Sequence, residues 1–496
     1  MFDNLWGKSR GGSEKAIGRV ALIFGPTIAS IMLLFPTPAG LSPEGWAVAA
    51  VCLLMATWWM TEAIPLAATA LLPIVLFPVF GIATIDTTAT SYANPLIFLF
   101  LGGFLMARAM VKQHLSQRFA YGILRLGHLS LSGIIASMMI ATAFLSMWVS
   151  NTATTMMMLP IGQSIVSAIQ MRASQGEKAE VAKFSAALML AIAYSATIGG
   201  MGTLIGTPPN ALFAGFMYRA YGVEVEFWRW MMIGVPAVVL LLPLSWLLIT
   251  RYSFRIDASR DYLKGGYIEK EAAKLGGFSR AELFVSVIIG LAAFFWIFRG
   301  VLSGFISWLH LSDAGIAIAA ALLLFILPTS RSDSKRLLEW DDVLKIRWDI
   351  LVLFGGALAL ADAINASGLA TWIGGATSLL AFLPTFLFLL GIFMVIVLLG
   401  ELASNTAVAA IFLPVAGASA AVLDLDPVLL MMSVALAATI GFMLPVATPP
   451  NAIVFGSGAI KVSDMLKTGI ILDLASIVVV AILVMTIGPI LFAATY

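Results

Sequence analysis

The chain has 496 residues, 61% of them hydrophobic and only 11% charged. Soluble domains carry about 25% charged residues, so a water-soluble globular domain is excluded and a polytopic membrane protein is expected. A net charge of +2 is too small for a nucleic-acid partner, and the single cysteine, Cys52, cannot form an intrachain disulfide.

The N-terminus is basic through Lys8, Arg10, Lys15 and Arg19, and an apolar run follows to Phe35. Pro36-Thr37-Pro38 then leads straight into another apolar stretch, so a retained first helix is expected rather than a cleaved signal peptide. Apolar stretches give eleven candidate spans: 19–37, 45–61, 65–82, 95–111, 184–206, 228–250, 281–299, 312–329, 348–366, 428–447 and 468–492. Trp58, Trp59, Trp228 and Trp230 fall near span ends and read as interfacial anchors.

Two further apolar regions, 130–170 and 382–423, are too long for one crossing, and each carries Ser-Asn-Thr near its middle. A helical hairpin with the polar triplet at its tip, entering and leaving on one side, fits both. Basic residues test this arrangement. With the N-terminus cytoplasmic and both hairpins re-entrant, Arg219, Arg229 and Arg299 lie outside, and 28 − 3 = 25 Lys and Arg lie inside. That bias is what the positive-inside rule requires, and it places the first hairpin's base inside, the second's outside and the C-terminus outside.

The chain thus divides into N-terminal helices (1–94), a first repeat (95–250), a cytoplasmic linker with further helices (251–347) and a second repeat of opposite topology (348–496). The linker carries Arg251, Arg255, Asp257, Arg260, Asp261, Lys264, Glu269, Lys270, Glu271 and Lys274 and reads as a solvated segment.

The two repeats share short polar words. Ser150-Asn151-Thr152-Ala153 precedes Thr207-Pro208-Pro209-Asn210-Ala211, and Ser404-Asn405-Thr406-Ala407 precedes Thr448-Pro449-Pro450-Asn451-Ala452. The Pro-Pro steps, with Gly199, Gly200 and Gly202 or Gly441 before them, break the spans at 184–210 and 428–451. Unwinding frees backbone carbonyls, which with the oxygens of Asn151, Asn405 and nearby serines suit a small hard cation such as Na⁺. Each tip also exposes the N-terminus of its second arm, where unpaired N–H groups hold an anion without lysine or arginine. Two tips meeting at mid-membrane would grip both ends of a small dianion.

Of the ionisable residues in or near apolar runs, Glu62 and Arg108 read as structural pairs near an interface, and Asp362 and Asp473 as weaker signals. Glu401, three residues before Ser404, either tunes a cation site or pairs within the hairpin. An intramembrane hydrolase using Ser150 or Ser404 would need a base, and His114, His128 and His310 all lie near loops or span ends, so no enzyme is expected. No ring of charges or repeated filter suggests a channel.

Trp59-Met60-Thr61-Glu62-Ala63-Ile64-Pro65-Leu66, Ser146-Met147-Trp148-Val149-Ser150-Asn151-Thr152-Ala153-Thr154-Thr155 and Thr448-Pro449-Pro450-Asn451-Ala452-Ile453-Val454-Phe455 resemble the divalent anion/sodium symporter family, and the resemblance runs from about 19 to 492. It implies an all-α homodimer in the plasma membrane, with a fixed scaffold and an elevator-type moving domain built from hairpins and broken helices. It also implies Na⁺-coupled symport of a small dicarboxylate (succinate, malate or fumarate), with sodium-independent exchange and tricarboxylate or sulfate transport as alternatives within the family. Carried over by position, substrate contacts are Ser150, Asn151, Thr152, Ser404, Asn405, Thr406 and Pro449. The first sodium site takes Ser146, Ser150, Asn151 and the Gly199 backbone. The second takes Ala403, Asn405 and the Ala447 backbone, with Gly400 standing where sodium-coupled relatives can offer a hydroxyl, as Ser146 does in the first repeat.

Overall fold

The structure, a computed structural model, describes residues 12–126, 130–256, 266–305, 310–330, 335–377 and 384–492. Lys8, Arg10, His128, Asp257, Arg260, Asp261 and Lys264 lie outside the described residues. Helices make up the fold, and among the described residues the one β contact is an isolated bridge between Pro328 and Arg336.

In chain order, α1 (Gly12–Leu34) and α2 (Pro43–Thr61) precede three short helices, α3 (Leu66–Thr69), α4 (Leu72–Val79) and α5 (Ile85–Ser91). The first repeat follows as α6 (Pro95–Lys112), α7 (Leu115–Leu126), α8 (Leu131–Ser146), α9 (Asn151–Gln170), α10 (Lys178–Gly200), α11 (Pro208–Tyr221) and α12 (Phe227–Leu247). The connecting region holds α13 (Tyr267–Ala273), α14 (Arg280–Phe305), α15 (Asp313–Ile326) and α16 (Trp340–Val343). Then come α17 (Trp348–Ala366), α18 (Leu369–Thr377), α19 (Thr385–Leu402), α20 (Asn405–Val422), α21 (Pro427–Thr439), α22 (Pro449–Phe455) and α23 (Val462–Phe492). Proline opens α2, α6, α11, α21 and α22, at the position where its missing N–H has no partner to lose.

Among the described residues, eight helices are long and apolar enough to cross a membrane, and six shorter apolar helices accompany them. The expected span at 65–82 is interrupted at Ala70 and Leu71, between α3 and α4; Pro73 in an unbroken helix would clash with the Thr69 carbonyl.

The element order of α6–α12 recurs in α17–α23, and the two sets exchange parts. The arms α8 and α9 lie against α10, and α19 and α20 against α21. Beyond its break, α11 packs on α20 and α21 of the other set, while α22 packs on α9 and α10. Each short helix after a break is therefore anchored by the opposite repeat.

Trp59 and Trp230 are not interfacial. Both are fully buried, donating through Nε1 to Leu66 O (3.1 Å) and Met201 O (2.9 Å). Inside a bundle an indole N–H needs such a partner. The 266–280 part of the linker is docked rather than simply solvated: Ile268 and Ala272 are buried, and Arg118 of α7 donates to the carbonyls of Leu275, Gly276 and Gly277 and to Glu282 Oε1 at 2.7 Å.

Arg108 pairs as expected, with Asp342 at 3.1 Å, and Lys112 joins it at 2.7 Å. Burial opposes ionisation of Asp342, but hydrogen bonds from Lys112, the Glu339 backbone and Arg108 hold its carboxyl below the usual range. A depressed folded-state pKa means the stabilisation is complete above the free value of about 4 and is lost as pH falls through the lower folded value. Asp342→Asn is expected to destabilise the protein by about 1–3 kcal/mol at pH 7. Denaturation of the detergent-solubilised variant measures this, and the gap to wild type should close in acid.

Candidate functional site

In the first repeat α8 ends at Ser146, and Ser150 caps α9 by accepting from Ala153 N at 3.4 Å. One end of the Asn151 amide lies 2.7 Å from Ser146 Oγ and 3.2 Å from both Gly206 O and Ala196 O. With nitrogen at that end, it donates to these acceptors; with oxygen there, the amide faces two carbonyls, an arrangement that a cation satisfies. Glycine at 200 permits the approach, because a Cβ would collide with the Asn151 amide. Thr203 Oγ1 donates to Met147 O, tying the tip to the broken span.

In the second repeat the break is shorter, only Ala403 and Ser404. Ser404 makes no side-chain cap bond to α20, unlike its counterpart Ser150. Asn405 Oδ1 is buried and has no hydrogen-bond partner. Opposite it stands Gly400, where an added Cβ would lie 3.7 Å from Asn405 Oδ1, 3.7 Å from Ile440 O and 3.9 Å from Ala438 O. Ile440 leaves the helix with ψ 120°, which turns its carbonyl away from the α21 ladder. An orphaned amide oxygen that shares the space beside Gly400 with backbone carbonyls is chemically unfavourable alone and fits a Na⁺ ion.

A matched pair of asparagines, given no role from sequence, holds the two breaks open. Asn210 Nδ2 donates to Gly200 O (3.0 Å) and Thr203 O (2.8 Å), and Asn451 Nδ2 to Gly441 O (3.2 Å) and Leu444 O (3.0 Å). With Thr207 aligned on Thr448 these are the same positions in both repeats. Their place in the doubled word was the available signal.

The structure places Ser150, Asn151, Thr152, Ser404, Asn405 and Thr406 half-buried at the two tips, and Pro449 exposed at the start of α22. Ser146, Gly199, Gly400, Ala403 and Ala447 are buried behind them. The Gly199 carbonyl accepts a turn bond from Gly202 N at 2.9 Å, and the carbonyls beside Asn151 are those of Ala196 and Gly206. Ala447 corresponds to Gly206 in the repeat alignment. Pairing of Glu401 within its own hairpin is corrected: its carboxylate bonds to the backbone of the broken span. No cluster of three or more His, Cys, Asp or Glu side chains suited to a metal occurs among the described residues.

Residues 14–494 match the model of the sodium:sulfate symporter transmembrane region. The sodium-dependent dicarboxylate transporter SdcS of Staphylococcus saprophyticus is 41% identical over 475 residues, covering 95% of this chain and 91% of the relative. The SdcS protein of Staphylococcus aureus is 41% identical over 478 residues with the same coverage. The solved YdaH transporter of Alcanivorax borkumensis matches 96% of this chain and 98% of its own, with a TM-score of 0.50 at 12% identity, a likeness that concerns fold alone. A match over nearly the whole length makes this chain a member of the sodium:sulfate symporter family, the divalent anion/sodium symporters.

Proposed function

We propose that the chain is a secondary active transporter that couples Na⁺ to movement of a small dicarboxylate such as succinate, malate or fumarate. The observation that carries this reading is the buried Asn405 Oδ1, without a partner and bordering the same space beside Gly400 as the Ile440 and Ala438 carbonyls. The Asn151 amide, aimed at two further carbonyls, supports a first cation site in the other repeat. Na⁺ at each site would offset the charge of a dianion entering a low dielectric. The hydroxyls of Ser150, Thr152, Ser404 and Thr406 and the first-turn amides of α9 and α20 would hold the two carboxylates. The names of the 41% identical relatives agree with this substrate and ion.

The proposal extends to an eleven-span topology with two re-entrant hairpins in inverted repeats. The N-terminus is cytoplasmic and the C-terminus outside, and a lipid-embedded homodimer in the plasma membrane moves its hairpin domain as an elevator. The repeated element order and the exchange of α11 and α22 between repeats support it. Gly400 favours a second reading, a sodium-independent exchanger, because it withholds a side-chain ligand from the second site.

Proteoliposomes loaded with no substrate and given an inward Na⁺ gradient are expected to accumulate labelled succinate. Uptake unchanged when K⁺ or choline replaces Na⁺ would refute the coupling, and uptake only with trapped counter-substrate would select the exchanger.

A further inference from the structure

Two buried carboxylates sit behind the second tip, and the cation and substrate reading assigns them no role. Glu401 and Asp473 are each 2% exposed. Glu401 accepts from Met443 N (2.9 Å) and Leu444 N (2.8 Å), and Asp473 accepts from Phe442 N (3.2 Å). Three consecutive amides of the unwound Ile440–Thr448 segment are thereby fixed by side chains from two helices, α19 and α23.

The carbonyl ends of the same peptides are held as well. Phe442 O accepts from Tyr194 OH at 2.6 Å, and Gly441 O accepts from Asn451 Nδ2 at 3.2 Å. Because a peptide unit is planar, gripping its N–H and its C=O fixes its rotation. The 441–442 plane is gripped by Asp473 and Asn451, and the 442–443 plane by Glu401 and Tyr194. Directly upstream is Ile440, whose carbonyl lies 3.7 Å from the Cβ position at Gly400.

The first repeat joins the same two places by different chemistry. There Thr203 of the broken span donates its hydroxyl to the Met147 carbonyl of the tip. In the repeat alignments Met147 corresponds to Glu401 and Thr203 to Leu444, so side chain and backbone have traded roles. The second repeat also lacks the Ser146 hydroxyl, which donates to Ala196 O at 2.6 Å and reinforces the first junction. Glu401 makes the junction that remains on the Gly400 side.

We propose that Glu401, backed by Asp473, is the positioning residue of the second cation site. It locks the tip that carries Gly400 and Asn405 to the unwound segment that carries the Ile440 carbonyl, so Na⁺ affinity depends on a residue that does not itself touch the ion. This rests on the reading of Asn405 as a cation ligand. Removing groups that orient metal ligands typically costs about 10- to 100-fold in affinity. Glu401→Gln keeps the shape but replaces one acceptor oxygen with a donor that faces a backbone N–H.

The test measures the half-saturating Na⁺ concentration for succinate uptake in proteoliposomes, beside the succinate KM at saturating Na⁺. Glu401→Gln is expected to raise the former by about 10-fold or more and leave the latter little changed, with Asp473→Asn shifting it in the same direction by less. A purely structural residue would lower stability in K⁺ and Na⁺ alike without moving the Na⁺ curve. An unchanged Na⁺ curve in Glu401→Gln, with uptake lost or its Na⁺ curve shifted in Asn405→Ala, overturns this proposal alone. An unchanged curve in both overturns the cation-site reading beneath it. Should Glu401→Gln fail to fold, hydrogen exchange on the wild-type protein decides. Amides of Phe442, Met443 and Leu444 are expected to gain protection in Na⁺ over K⁺, and equal protection overturns the proposal.

Discussion

Asn151→Ala and Asn405→Ala each lose Na⁺-driven succinate uptake while the protein still assembles and inserts. The expected loss follows from what each amide touches. Asn405 Oδ1 is buried without a hydrogen-bond partner, so truncation costs the fold little there and removes an oxygen that Na⁺ would use. A contact to a charged group is worth about 1.5–3 kcal/mol, which makes the loss at least about 10- to 150-fold per asparagine. Asn151 differs in one respect. Its amide also bonds Ser146 Oγ and lies against Gly206 and Ala196, so Asn151→Ala should lower thermal stability as well as transport. Uptake assays at fixed Na⁺, paired with size-exclusion profiles and thermal unfolding of each variant, check both outcomes. Wild-type uptake in either variant removes that amide from the site.

This asymmetry between two nearly identical words could not be read from the words themselves. Their existence was legible, because a membrane chain tolerates Ser-Asn-Thr and Pro-Pro only where the helix is interrupted for a reason. The breaks after Gly200 and Thr439 follow from Gly and Pro placement in the same way. What the chain order conceals is tertiary partnership. Glu401 reads as a hairpin residue until its carboxylate is seen on Met443 and Leu444, far along the chain. Trp59 and Trp230 read as interface anchors because hydropathy cannot separate a bundle interior from lipid; their N–H bonds to Leu66 and Met201 carbonyls place them inside. The 65–82 stretch has the hydropathy of a span, and only the local geometry around Pro73 divides it. Asn210 and Asn451 were visible letters in the repeated words, yet their work as clamps across seven and ten residues needs the unwound backbone to be seen.

Gly400→Ser sharpens the Na⁺ response and is the most direct probe of the difference between repeats. Apart from its own helix backbone and chain neighbours, the nearest atoms to the Cβ position at Gly400 are Asn405 Oδ1 and Ile440 O at 3.7 Å, an ordinary contact distance, so a side-chain Cβ fits there. Its hydroxyl would restore to the second tip what Ser146 gives the first, a side-chain oxygen one turn before the Ser-Asn-Thr triplet. Na⁺ prefers a fuller shell of oxygens, and one added neutral ligand is expected to lower the half-saturating Na⁺ concentration by about 3- to 10-fold, or roughly 0.6–1.4 kcal/mol. Replacing glycine by serine inside α19 also favours the helix by about 0.5 kcal/mol, so stability should rise slightly in K⁺ as well as in Na⁺. The two effects separate in a thermal-shift series: helix propensity moves all salts equally, and the new ligand adds a shift only in Na⁺. Tighter binding also slows release, so maximal uptake is expected to fall as Na⁺ affinity rises. A Na⁺ activation curve identical to wild type would show that the Gly400 face does not border a cation.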